Sequence, residues 1–273
     1  MSFFVYLFII FFFSTSSSSF SSELPLSPLQ IAICISGQLG RLQPIYLATQ
    51  LIGANPFFSY SLFFNLQSKD ATNTTIFNTE ADGVFVNSVT EYELMLTQED
   101  VSASLRNTFK SYPAVKRVYT AFHERKRLGD YTSMFKRKNL NRIYQYLEAQ
   151  PSILNMYSYQ EACVRQLQQT EAEKSFKFDY VISTRDDVYF FEPMNLTRLI
   201  LDFSQPSGRN CSIVSKSCLA WGGLNMRLQL LQRDSAVAFL GRRMDFYASL
   251  YHRAKNHRQT TAANPEIFGL IFF

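Results

Sequence analysis

The sequence has few of the residues that build metal and nucleophile centres. Its only histidines are His123, His252 and His257, and they show no metal-ligand spacing. None of the four cysteines, Cys34, Cys163, Cys211 and Cys218, belongs to a Cys-x-x-Cys pair, which argues against a zinc site. Gly-x-Ser-x-Gly is absent, and with it the nucleophile elbow of an α/β hydrolase. Neither a P-loop nor Gly-x-Gly-x-x-Gly occurs, so the turn after Gly37 is only a weak signal for a phosphate cradle. Nucleic-acid binding is set aside too, because zinc-knuckle spacing, ribonucleoprotein-type aromatic motifs and a recognition-helix signature are all missing.

What is present suffices for a large core. With 273 residues, 47% hydrophobic and 15% aromatic, the chain has a globular composition. The net charge of +5 comes from dispersed Lys and Arg and suits an anionic small ligand or an acidic glycan. The apolar run Phe3–Phe13 is shorter than the roughly 20 residues of a membrane helix and fits the h-region of a secretory signal, with Ser14–Ser22 behind it. Residues 1–22 are therefore expected to be a signal peptide or, since no Lys or Arg precedes Arg41, a short membrane-associated anchor. Sequons at Asn73, Asn195 and Asn210 agree with entry into the secretory pathway, as a Golgi or ER lumenal protein or a secreted one. In that oxidising setting the short separation favours a Cys211–Cys218 disulfide, the alternative being four buried thiols.

From residue 23 onward the chain reads as one α/β domain. Gln30–Ser36 is a continuous apolar run stopped by Gly37, as expected of a strand buried on both faces. Gly37–Arg41 reads as a turn, Pro44–Ile52 as a helix and Ser59–Leu66 as a second strand. Val84–Asn87 and Val115–Phe122 are further strands around a helical stretch within Thr90–Phe109. Helices follow at Met134–Leu147 and Ser152–Gln169, then a strand at Phe178–Thr184. The last third carries a short strand at Ser212–Ser215, a turn at Trp221–Gly223, helices around Ser235–Phe239 and Met244–Tyr251, and a helix start at Asn264-Pro265-Glu266. Alternating strands and helices imply a mostly parallel, Rossmann-related sheet with its ligand beyond the carboxyl ends of the strands.

One of those ends is chemically distinctive, because the apolar strand Phe178–Thr184 runs into Arg185-Asp186-Asp187. Carboxylates there supply the hard oxygen ligands that Mg²⁺ or Mn²⁺ requires to bridge a diphosphate. Strand alternation puts Arg185 and Asp187 on one side and Asp186 on the other, making Asp187 the first candidate ligand. The plainer alternative is a polar turn with a local ion pair. The basic stretch Lys110–Lys138 offers charge to a diphosphate or acidic acceptor, although such runs are most often solvated faces.

Taken in order, these blocks resemble the glycosyltransferase-like proteins of polysaccharide and lipopolysaccharide-core biosynthesis, with a GT-A-like fold. Ser36-Gly37-Gln38-Leu39-Gly40-Arg41 looks like the family's first nucleotide-facing loop, and Thr132–Lys136 like its Ser-Met-Phe-Tyr-Lys-type helix. Asp179–Asp187 resembles the strand whose Arg-x-Asp stands where other GT-A enzymes have Asp-x-Asp. Asp234 through Met244 and Asn264-Pro265-Glu266 resemble two later elements. The resemblance implies a nucleotide-sugar donor near Ser36, Gly37, Arg41 and Arg185, a divalent cation (Mn²⁺ or Mg²⁺) at Asp187 and Asp186, and Asp234 or Glu266 near a glycan or glycoconjugate acceptor as the catalytic carboxylate. Asp186 occupies the place of a commoner proline, so Arg185 could also neutralise diphosphate directly. The expected activity is sugar transfer, of hexosyltransferase type. The alternatives are a non-catalytic carbohydrate-binding relative and a sulfotransferase.

Overall fold

A run of apolar side chains is satisfied only where both faces of its strand are covered, and Ile31–Ser36 is buried throughout. The computed structural model describes residues 27–38, 42–68, 74–76, 92–94, 97–126, 131, 151–186, 188, 190, 192–203, 213–215 and 227–245. In it the run forms β1 (Gln30–Gln38), flanked in parallel by β2 (Ser59–Ser68) and β6 (Tyr180–Arg185). β5 (Val115–Glu124) extends the sheet in parallel beyond β2. On the other side β8 (Leu228–Gln232) pairs antiparallel with β6, and β7 (Ile213–Ser215) antiparallel with β8. The order β5-β2-β1-β6-β8-β7 is a mostly parallel α/β sheet, the expected fold class. A small hairpin, β3 (Thr74–Ile76) with β4 (Tyr92–Leu94), stands apart from it.

Alternation along the strands sorts the core into two layers. Ile31, Ile33 and Ile35 face a layer covered by α1 (Pro44–Tyr46) and its π-helical continuation Leu47–Gly53, by α2 (Gln98–Lys110) and by α4 (Leu196–Phe203). Ala32 and Cys34 face α3 (Pro151–Lys174) and α5 (Arg233–Leu240). α2 starts later than its apolar pattern alone suggests because Thr97 and Asp100 form a reciprocal capping box: Asp100 N–H donates to Thr97 Oγ1 at 3.1 Å, and Thr97 N–H to Asp100 Oδ2 at 2.9 Å. Buried Asn55 ties the π-helical turn to α4, donating to Leu51 and Met194 carbonyls and accepting from Leu196 N–H.

The disulfide among the described residues joins Cys34 on β1 to Cys163 on α3, both fully buried, so these two are not free thiols. The pair favoured by sequence separation, Cys211–Cys218, lies outside the described residues. So do Phe3–Phe13, Val84–Asn87, Met134–Leu147, Trp221–Gly223 and Asn264–Glu266. No helix among the described residues is long and apolar enough to cross a membrane.

A cross-link over a sequence separation of 129 restricts the unfolded chain strongly. Replacing both Cys34 and Cys163 by serine is expected to lower unfolding stability by about 2–5 kcal/mol. Urea denaturation under non-reducing conditions measures this, and an unchanged midpoint counts against the bond.

Candidate functional site

Three parallel strands end side by side at one edge of the sheet, with Ser36 opposite Asn65 on β2 and Arg185 on β6. β1 continues to Gly37, where φ is +150°, a backbone region that side chains disfavour. The reason for a glycine is also spatial. A Cβ built on Gly37 would lie 1.9 Å from Asp186 Oδ1 and 2.7 Å from Asp186 Cβ. The Asp186 carboxylate thus sits in a notch left by the missing side chain, 2% exposed, with its own N–H bonded to the Ser36 carbonyl at 3.2 Å. Arg185, half-buried, is fixed by a backbone bond from its N–H to the Arg227 carbonyl at 3.1 Å.

Beneath this mouth, on the α3 side, the apolar layer gives way to a polar one. Ser36 and Gln229 are fully buried, and neither Ser36 Oγ nor the Gln229 amide has a hydrogen-bond partner among the described residues. Ser183 Oγ accepts from Gln160 Nε2 at 3.3 Å, and Gln160 Oε1 accepts from Arg243 Nη1 at 2.5 Å. Arg243 is wholly buried, its guanidinium over Phe239 and Tyr157 at 4.3 and 5.0 Å, and burial lowers its pKa to about 10. Unpartnered buried hydroxyls and amides are costly and rare.

The predicted site residues therefore separate. Ser36, Gly37, Arg185 and Asp186 converge at the carboxyl ends of β1 and β6. Arg41, Asp187 and Glu266 lie outside the described residues, as does the basic run Lys136–Lys138. Asp234 does not belong with the first group. Because β8 is antiparallel to β6, Gln232 pairs with Tyr180 at the opposite end of the sheet, and Asp234 follows it there, about 17 Å from Arg185 at a strand's rise per residue. Its carboxylate is exposed and pairs with Arg233 at 2.7 Å, which holds its pKa below the ordinary value and makes it a poor proton acceptor. Arg233 in turn grips Glu171 at 2.6 Å, an anchor between α3 and α5. Sequence reading also passed over Asn65, Gln160, Ser183 and Gln229. The available signal was a polar residue interrupting an apolar strand, as Asn65 does in Ser59–Leu66.

Asp186 places one carboxylate, 2% exposed, at the mouth. Among the described residues no three His, Cys, Asp or Glu side chains cluster as a metal site. Mg²⁺ is commonly held by one or two carboxylates with substrate phosphates and water completing the shell, which the donor chemistry here can meet.

No family model matches the chain, and no curated protein matches it. Solved structures do align with most of it. The PaToxG glycosyltransferase shares 15% identity at a TM-score of 0.35, covering 90% of this chain and 68% of the other. Mouse xyloside xylosyltransferase 1 in its apo form shares 9% at a TM-score of 0.38, covering 89% and 80%.

Gly37→Ala is expected to cost about 2 kcal/mol or more, from positive φ plus the collision with Asp186. Asp186→Gly in the same chain removes the collision but not the φ strain, so the two changes should couple by about 1 kcal/mol in a double-mutant cycle followed by thermal unfolding.

Proposed function

We propose that this protein is a glycosyltransferase that moves a sugar from a nucleotide-sugar donor to a hydroxyl of a glycan or glycoconjugate. The observation that carries the reading is the Asp186 carboxylate held in the Gly37 notch at the carboxyl mouth of a mostly parallel sheet, beside Arg185 and a Ser36 hydroxyl with no partner among the described residues. In such sheets ligands bind beyond the carboxyl ends of the strands. The order of the sequence blocks around Ser36–Arg41 and Asp179–Asp187 supports the same assignment.

Transfer breaks the bond between the sugar's anomeric carbon and the diphosphate oxygen, which leaves with the electron pair, and forms a bond from that carbon to the acceptor oxygen, whose proton passes to a base. The departing charge is what the protein has to stabilise. Asp186 and Asp187 would hold a divalent cation, which supplies Lewis-acid neutralisation of the diphosphate when bound. Arg185 and Arg41 add guanidinium charge that can pair with phosphate bidentately, while Ser36 and Gly37 line the donor side of the mouth from below, Gly37 by leaving the space that Asp186 fills. Glu266 remains the carboxylate assigned to the acceptor; Asp234 does not. The buried Cys34–Cys163 disulfide favours an oxidising compartment, in keeping with secretory-pathway residence and an N-terminal signal or anchor.

Residues 24–273 are expected to hydrolyse or transfer from one donor in a nucleotide-sugar panel with Mn²⁺ or Mg²⁺ present. Asp187→Ala and Asp186→Asn should each reduce turnover at least tenfold, whereas Asp234→Asn should leave it within twofold. Donor binding without turnover in any metal would favour a carbohydrate-binding relative instead.

A further inference from the structure

A second arrangement lies at the same edge of the sheet, outside the Ser36–Asp186 notch. His123 is near the carboxyl end of β5, opposite Gln67 of β2. Its Nε2 is 2.8 Å from Asn65 Oδ1, and Asn65 Nδ2 donates to Gln166 Oε1 on α3 at 3.1 Å. The chain of bonds fixes the proton. Asn65 turns its amide nitrogen toward Gln166 and meets His123 with its carbonyl oxygen, an arrangement that calls for hydrogen on His123 Nε2. Nδ1 is then the lone-pair nitrogen, and it has no partner among the described residues. The ring stacks on Tyr159 of α3 with centroids 5.0 Å apart and planes 20° apart, which sets its orientation.

The surroundings favour the neutral ring. Burial is the largest cause of a pKa below the ordinary 6.5, with Arg165 on α3 and Lys126 just past β5 repelling a second positive charge. Tyr159, the group stacked on the ring, is pushed up to about 12 and stays uncharged. β2 presents only the amides of Asn65 and Gln67, and Glu124 follows His123 on the opposite face of β5. A neutral imidazole two strand spacings from β1, about 10 Å, lies within the span of a ligand seated at Gly37.

We propose that His123 is a sugar-contacting residue, its Nδ1 accepting the hydrogen bond of a substrate hydroxyl while Nε2 stays committed to Asn65. The ligand class rests on the glycosyl-transfer reading above; the tautomer rests on the Gln166–Asn65–His123 geometry alone. Contact requires the neutral ring, so affinity is full above the His123 pKa and falls as pH drops through it, below about 6.5.

Three variants separate this from a structural role. His123→Gln keeps a donor for Asn65 and removes Nδ1, His123→Asn keeps an acceptor near Nδ1, and Asn65→Asp raises the ring's proton affinity. The ring-nitrogen NMR spectrum of the wild-type chain should show the Nε2–H tautomer and titration below pH 6.5, moving upward by about one unit or more in Asn65→Asp. An Nδ1–H tautomer, or a wild-type ring charged near neutrality, overturns the proposal. His123→Gln should weaken ligand about tenfold with kcat within about twofold, and His123→Asn should recover most of the loss. A loss in calorimetric affinity for the nucleotide sugar assigns the hydroxyl to the donor, and a raised KM for the saccharide acceptor alone assigns it to the acceptor. Unchanged affinity and KM in His123→Gln overturn the proposal. Should no nucleotide sugar bind the wild-type chain, the transfer reading falls, and His123 is then decided with free monosaccharides: a saturable shift of its Nδ1 resonance supports the contact and an unmoved resonance rejects it.

Discussion

The two-sided parallel pairing of β1 is the constraint on which the remaining structure depends. Its register with β2 and β6 places Ser36 beside Asn65 and Arg185 at one level, so chemistry from strands distant in sequence arrives at one edge. Burial from Ile31 to Ser36 holds that register, because a slip by one residue would turn Ile31, Ile33 and Ile35 from one layer into the other. Local features at the mouth are consequences. Asp186 can approach the backbone of β1 only where β1 has a glycine, and that glycine falls at the level where β6 turns out of the sheet.

The polar layer on the α3 side has the opposite physical character. Ser36, Asn65, Gln160, Ser183, Gln229 and Arg243 replace apolar side chains at buried positions and contribute less to stability than a hydrocarbon layer would. Folds keep such layers where hydrogen-bond geometry matters more than burial. Here it lies directly under the edge that the site occupies, while the Ile31, Ile33 and Ile35 face stays apolar.

Much of the architecture was legible because its signals are periodic. The apolar runs of β1, β2 and β6 and the apolar spacing of α3 identify strands and helix without tertiary knowledge. The short β8 was not legible, since Leu228–Gln232 mixes glutamine with leucine in too few residues to establish a period. Its direction was still less so, and direction decided the fate of Asp234: a residue after an antiparallel strand leaves at the far end of the sheet, however well its neighbours resemble a site motif. The disulfide was missed for a related reason. Cys34 and Cys163 meet because α3 crosses β1, a relation no local pattern contains, and their bond leaves the Cys211–Cys218 pairing untouched.

That crossing bond closes the stretch from residue 34 to residue 163 into a covalent ring that contains β2, β5 and α2. A protease that cuts once anywhere inside the ring opens it without releasing a fragment. The nicked chain would travel as a single species until a reductant is added, so intact mass on a non-reducing gel says nothing about the continuity of this half of the protein.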